Sequence, residues 1–270
     1  MQTETYWGMT LNPFTKELDV KDIFESEDMR QMSQRLEHLR NYPGIGLFTA
    51  PSGYGKSLAL RKFTARLNPN LYKVVYTPFT SISESDFFRI VAERFGLEPA
   101  YRRGANISNI NERMTRLCKD QKIMPILIID EAQNIRSAGF FQSLQAMMNF
   151  EIDYRNYCIL ILSGEVDLNN TLDRGQNQAF AQRITINYDF QGLSFEETSE
   201  YIRTRMALAN AASSIFDPAA IESAYECCQG SVRKLNSIIS TALLIGCNEK
   251  ARSVSAEFIR QAALEVSLIK

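Results

Sequence analysis

What this 270-residue chain lacks narrows its function before any motif is read. It has one histidine, His38, within the amphipathic pattern MRQMSQRLEHLRNY and with no placed partner. That excludes a histidine-based nucleophilic triad and makes His38 a surface or boundary residue. Charge of neither sign dominates, with 30 Lys and Arg against 31 Asp and Glu. No global field therefore advertises nucleic acid or membrane, and only a local basic patch could. The five cysteines (Cys118, Cys158, Cys227, Cys228, Cys247) are odd in number and form no Cys-x-x-Cys pair. They read as reduced core residues of a cytoplasmic protein, not as a zinc or redox site. The start, MQTETYWGMTLNPF, has no basic region followed by an apolar one, so no signal peptide is expected. No apolar run approaches the ~20 residues of a membrane helix, so a soluble chain without membrane contact is expected.

What is present is a core-forming composition, 45% hydrophobic, in which β-branched apolar runs alternate with helical patterns. Strands are expected at GIGLFTA (44–50), LYKVVYTP (71–78), MPILIID (124–130), YCILILS (157–163) and ITINYDF (184–190). Helices are expected near 57–67, 85–95, 107–119 and 138–149, the last including FFQSLQAMMNF, whose apolar spacing reads as core. Strands separated by helices predict a five-stranded parallel α/β sheet. Beyond QGLSFEE the strand pattern stops, and helices are expected at about 195–209, 217–228, 232–246 and 255–266. Ser194 with Glu197 forms a capping box where the composition changes. The expected division is an α/β nucleotide-binding core, 1–192, and an all-α lid, 193–270.

The stretch APSGYGKS sits between an apolar strand and a helix, the context a phosphate-binding loop requires. Gly53 and Gly55 can adopt positive φ and turn backbone N–H groups inward. The expected nucleotide contacts run through Ala50, Pro51, Ser52, Gly53, Tyr54, Gly55, Lys56, Ser57 and Leu58. Lys56 would reach the β- and γ-phosphates and Ser57 would coordinate Mg²⁺. Downstream, ILIIDEAQN places Asp130 and Glu131 at the end of a strand too apolar to be anything but buried. Two adjacent carboxylates are costly inside a core, so they must emerge at the carboxyl edge of the sheet, beside the loop. There Asp130 can hold the Mg²⁺ shell and Glu131 can polarise an attacking water.

With these motifs the chain resembles an AAA+ ATPase, and more narrowly the ExeA/TnsC/TniB-like group of secretion- and transposition-associated ATPases. The likeness runs through YWGMTLNPF, GLFTAPSGYGKSLALRKF, PILIIDEAQN, ILILSGEVDL, AFAQRITINYDFQGLSFEETSEYIRTRM and GSVRKLNSIISTALL. The resemblance implies that Ser163 is a sensor of the γ-phosphate. It implies that Arg183 is an arginine finger entering a neighbouring subunit's site, with Arg174 as a nearby competitor, and that Arg233 is a second sensor in the lid. Tyr6, Trp7, Asn12, Pro13 and Phe14 read either as packing near the adenine or as a staple between segments. Ala50 in place of the first glycine, bulky Tyr54 and a serine at the first sensor position imply a slow ATPase, or a switch that stays loaded.

The resemblance further implies ATP and Mg²⁺ as cofactors and a homo-oligomer, as a ring or helical filament. Three clients compete. The favoured one is a transposition regulator that assembles with ATP on double-stranded DNA and recruits a transposase. A secretion ATPase is less expected, because such chains carry a membrane segment and envelope-binding domain after the lid. A nucleotide-switched scaffold without DNA contact is the third. Arg102 and Arg103, read as part of a polar loop in AYRRGANISN, and Lys119, with Lys122 beyond it, are the candidate DNA contacts. Without a base-reading motif, binding would be independent of sequence.

Overall fold

The computed structural model describes residues 3–15, 19–80, 82–150 and 155–268. In chain order the elements are α1 (Thr3–Tyr6), α2 (Glu27–Asn41), β1 (Ile45–Thr49), α3 (Lys56–Ala65), β2 (Tyr72–Pro78), α4 (Glu84–Arg94) and α5 (Arg103–Lys119). They continue with β3 (Met124–Asp130), α6 (Ala138–Met147), β4 (Ile159–Gly164), α7 (Asp167–Leu172), α8 (Gln178–Ala181) and β5 (Ile184–Asp189). The last four are α9 (Phe195–Leu208), α10 (Pro218–Cys228), α11 (Val232–Asn248) and α12 (Ala256–Leu268). The chain separates into two compact units, one comprising 31–51 with 56–190 and the other 1–30, 52–55 and 191–270.

The first unit holds a five-stranded sheet in the order β2-β3-β4-β1-β5. Every pairing is parallel, as expected for strands joined through helical crossovers. β1 and β4 are buried along their whole length, which is why they read as unbroken apolar runs and not as alternating ones. A cluster of phenylalanines, Phe79, Phe87, Phe88, Phe140 and Phe141, anchors α4 and α6 in this core. The observed order puts β4 between the strand that leads into the glycine loop and the strand that ends in Asp130. A functional cluster at the carboxyl edge therefore has to span three strands.

The second unit is helical. Ser194 and Glu197 form the expected capping box at α9. Trp7, Met9 and Phe14 lie in the same apolar cluster as Tyr201, Leu235, Ile239 and Ile259. The Trp7 indole N–H donates to the Leu243 carbonyl at 2.8 Å, and the Tyr6 hydroxyl donates to Ala251 at 2.7 Å. Trp7 and Phe14 thus act as a staple on the helical core. Asp28, nearly buried, accepts the backbone N–H groups of Gln191 (3.1 Å) and Gly192 (2.8 Å), fixing the stretch that leads into α9. Among the described residues no helix is long and apolar enough to cross a membrane.

One stretch differs from expectation. Arg102 and Arg103 are not in a loop: Arg102 caps α5 and Arg103 opens it, despite Gly104. The reason is local. The buried Asn106 side chain accepts from Ala100 N–H (2.7 Å) and donates to its carbonyl (2.9 Å), closing the first turn, while Arg103 pairs with Glu84 at 2.6 Å. His38 is exposed, beside Tyr42, as expected.

Candidate functional site

The sheet unit gathers its polar groups on Asp130, the last residue of β3, which is only 3% exposed. A carboxylate so deep needs its oxygens satisfied. Ser57, in the first turn of α3, donates to Oδ2 at 3.0 Å, and the Tyr76 hydroxyl donates to the same oxygen at 2.8 Å. Ser163, fully buried at the end of β4, donates to Oδ1 at 2.7 Å, and so does the Glu131 backbone N–H at 3.0 Å. Burial, reinforced by the hydrogen bond to Asp130, pushes the Tyr76 phenol well above its ordinary range. The hydroxyl remains a donor at any physiological pH.

Glu131 leaves the strand in a left-handed conformation, φ 57°, which turns its side chain off the strand path. Gln133 Nε2 donates to its carboxylate at 2.7 Å, and Gln133 Oε1 accepts Glu165 N–H at 3.0 Å, so one amide ties the exit of β3 to that of β4. Lys56 donates to the carbonyls of Ala50 (2.8 Å) and Pro51 (3.4 Å), folding its cation against the flank of the loop.

The tip of the loop belongs to the helical unit. Gly53 and Gly55 have φ of 87° and 99°, the left-handed geometry expected of them. At Gly53 a Cβ would come within 2.6 Å of Ser231 Oγ and 2.8 Å of Arg233 Cβ, so only glycine fits. Arg233, near the start of α11, donates its backbone N–H to the Gly53 carbonyl (3.2 Å) and its guanidinium to Ser52 Oγ (2.7 Å). The Tyr54 hydroxyl donates to the Gln229 carbonyl at 2.6 Å. Bulk at position 54 therefore has a structural use that the sequence did not disclose.

Ser57 Oγ and Asp130 Oδ2 are hard oxygens 3.0 Å apart, the type of donor that would suit Mg²⁺. Among the described residues no cluster of three His, Cys, Asp or Glu could hold a metal alone. Arg183 lies at the opposite edge of the sheet. It immediately precedes β5, whose first residue Ile184 pairs with Ile45 at the start of β1, whereas Ala50 follows the end of β1. The length of β1 puts roughly 16 Å between those levels, beyond an arginine side chain. Arg174 is exposed, ahead of a short 3₁₀ turn. The three candidate DNA residues are not brought together. Arg102 and Arg103 stand at one end of α5 and Lys119 at the other, ~24 Å along the helix, where Lys119 lies over the Tyr157 ring. Fully exposed Tyr101 adjoins the two arginines. Tyr76, Gln133 and Asp28 were missed in the sequence; only Gln133 carried a signal, as part of DEAQ.

The sheet order, the glycine loop and the flanking helices define a P-loop AAA+ fold, followed by a helical C-terminal region. Residues 39–172 match the family model described as AAA domain. General secretion pathway protein A of Aeromonas hydrophila is 25% identical over 271 residues, covering 98% of this chain and 48% of its own length. The chain therefore spans about half the length of that curated relative. Among solved structures, Cdc6p from Pyrobaculum aerophilum superimposes with a TM-score of 0.70 at 16% identity, over 94% of this chain and 70% of that one. The Aeropyrum pernix ORC1 protein in complex with DNA gives 0.68 at 16% identity, over 94% and 68%. At such identities the likeness is one of fold.

Proposed function

We propose that this chain is a Mg²⁺-dependent ATPase that assembles in its ATP-bound state on double-stranded DNA, as a ring or helical filament, and recruits or activates a transposase. The observation that carries the ATPase reading is the buried Asp130 carboxylate held by Ser57 of the glycine loop and Ser163 of β4. In this reading the backbone N–H groups of residues 50–58 and Lys56 bind the phosphates, and Ser57 with Asp130 holds the cation. Mg²⁺, when bound, supplies charge neutralisation at the phosphates. Glu131 orients and deprotonates the attacking water, and Gln133 holds its carboxylate in line. Ser163 keeps Asp130 aligned and responds to the γ-phosphate, and Arg233 carries the lid's response to nucleotide. Arg183, out of reach of its own loop, stabilises charge developing in a neighbouring subunit's site, which makes hydrolysis depend on assembly.

The DNA part draws on the sequence resemblance and on the likeness in fold to a DNA-bound ORC1 structure, and the transposase part on the sequence resemblance alone. Arg102 and Arg103, with exposed Tyr101, are the surface we assign to the phosphate backbone; repetition along a filament would add their contacts. A second reading, an ATPase that remodels a secretion assembly, is favoured by the match to general secretion pathway protein A. Electron microscopy with a non-hydrolysable ATP analogue, with and without double-stranded DNA, tests the choice. Filaments or rings that require DNA support the transposition reading, and nucleotide-dependent rings indifferent to DNA overturn it. Mixing Arg183→Ala with Lys56→Ala should restore part of the ATP turnover that each lacks alone. Absence of rescue would remove Arg183 as a finger in trans.

A further inference from the structure

Tyr76 has no evident place in the packing of its strand. β2 buries Val75 and Thr77 on one face, while Tyr76 on the other is 44% exposed. The register pairs Pro78 with Asp130, so Tyr76, two residues earlier, shares the face of Asp130 as its diagonal neighbour. An aromatic side chain spans that diagonal. The hydroxyl ends on Asp130 Oδ2 at 2.8 Å, the oxygen to which Ser57 also donates at 3.0 Å. The other oxygen is held by Ser163 and by the Glu131 N–H.

These donors differ in what they are free to do. Ser57 belongs to the glycine loop, and in the ATPase reading its hydroxyl oxygen would also ligate the cation, so its hold on Asp130 changes with the occupancy of the loop. Ser163 and the Glu131 amide hold only Oδ1. We propose that Tyr76 is a positioning residue for the divalent cation: its phenol fixes Asp130 Oδ2 from β2, independently of the glycine loop that carries Ser57. Without it Oδ2 would lose its one donor outside the glycine loop, and the carboxylate would be restrained chiefly through Oδ1. Partners of this kind behind a metal ligand typically change metal affinity ~10–100-fold when removed.

The inference rests on the Mg²⁺–ATP reading of the site, and the experiment separates the two. In a Glu131→Gln background, which keeps nucleotide intact, a fluorescent N-methylanthraniloyl-ATP is titrated in EDTA and then with Mg²⁺, for Tyr76 and for Tyr76→Phe. The expected result is equal affinity in EDTA, an unchanged thermal midpoint, and a roughly tenfold higher Mg²⁺ concentration for half-maximal binding in Tyr76→Phe. In the otherwise native chain, the same substitution should raise the Mg²⁺ requirement of turnover while leaving the rate at saturating Mg²⁺ close to the native one. An unchanged Mg²⁺ dependence overturns the role of Tyr76 alone. Equal losses with and without metal, or a lowered thermal midpoint that accounts for the change, also overturn it, by showing an ordinary structural tyrosine. If the chain carrying Tyr76 binds nucleotide with no dependence on Mg²⁺, the reading of the whole site fails and the inference falls with it.

Discussion

The two stretches that hold the glycine loop do so by different physics. Its flank, in the sheet unit, is tied by side chains: Lys56 lies on the carbonyls of Ala50 and Pro51, and Ser57 lies on a carboxylate that also receives Tyr76, Ser163 and a backbone amide. Its tip, in the helical unit, is held mainly through backbone atoms and shape: the Gly53 carbonyl on the Arg233 amide, no room for a Cβ, and the Tyr54 hydroxyl on the Gln229 carbonyl, with a single charged contact, the Arg233 guanidinium on Ser52. Charged networks respond to charge, whereas backbone and shape contacts respond to conformation. The comparison teaches that chemistry should fail when the flank is altered, and the coupling of loop to helices when the tip is.

The sharpest test of that division is Glu131→Gln, expected to lower ATP turnover by ~10²–10⁴-fold while leaving nucleotide binding intact, as for loss of a general base. Equal turnover in steady-state phosphate release would remove Glu131 from the mechanism. Lys56→Ala comes next, with nucleotide affinity weakened roughly 10–100-fold from the lost charge-assisted bonds, read by calorimetric titration. On the tip, Gly53→Ala should cost about 1–3 kcal/mol, since φ of 87° is strained for alanine and the methyl meets Ser231 and Arg233. A thermal midpoint equal to that of the native chain would refute the close approach. The smallest effect is expected for Tyr54→Phe, which removes one neutral hydrogen bond worth about 1 kcal/mol. It should speed amide exchange at residues 52–55 about fivefold, with turnover per assembled site unchanged. A large loss of turnover from Tyr54→Phe would break the division, by giving the tip a chemical role.

Much of this was legible because it is local. β3 was expected and observed at Met124–Asp130, since an unbroken apolar run ending in two carboxylates has one way to satisfy both burial and charge. The capping box at Ser194 and the positive φ of Gly53 and Gly55 follow from residues a few positions apart. The start of α5 was misread because Gly104 and the arginines suggest a loop, and the side chain that closes the turn, Asn106, acts on a residue six positions back.

By itself, then, the sequence determined the parallel α/β sheet, the helical C-terminal region, the glycine loop and the two carboxylates at the exit of β3. These follow from periodicity, burial and backbone freedom, which act over a few residues. Only the tertiary structure decided the strand order, and with it that β4 brings Ser163 to Asp130, that Tyr76 reaches the same carboxylate, and that Arg183 stands at the far edge of the sheet from its own loop. Those facts depend on which strands become neighbours and in what register, and hydrophobic patterns do not encode that choice, because every buried strand presents much the same apolar face.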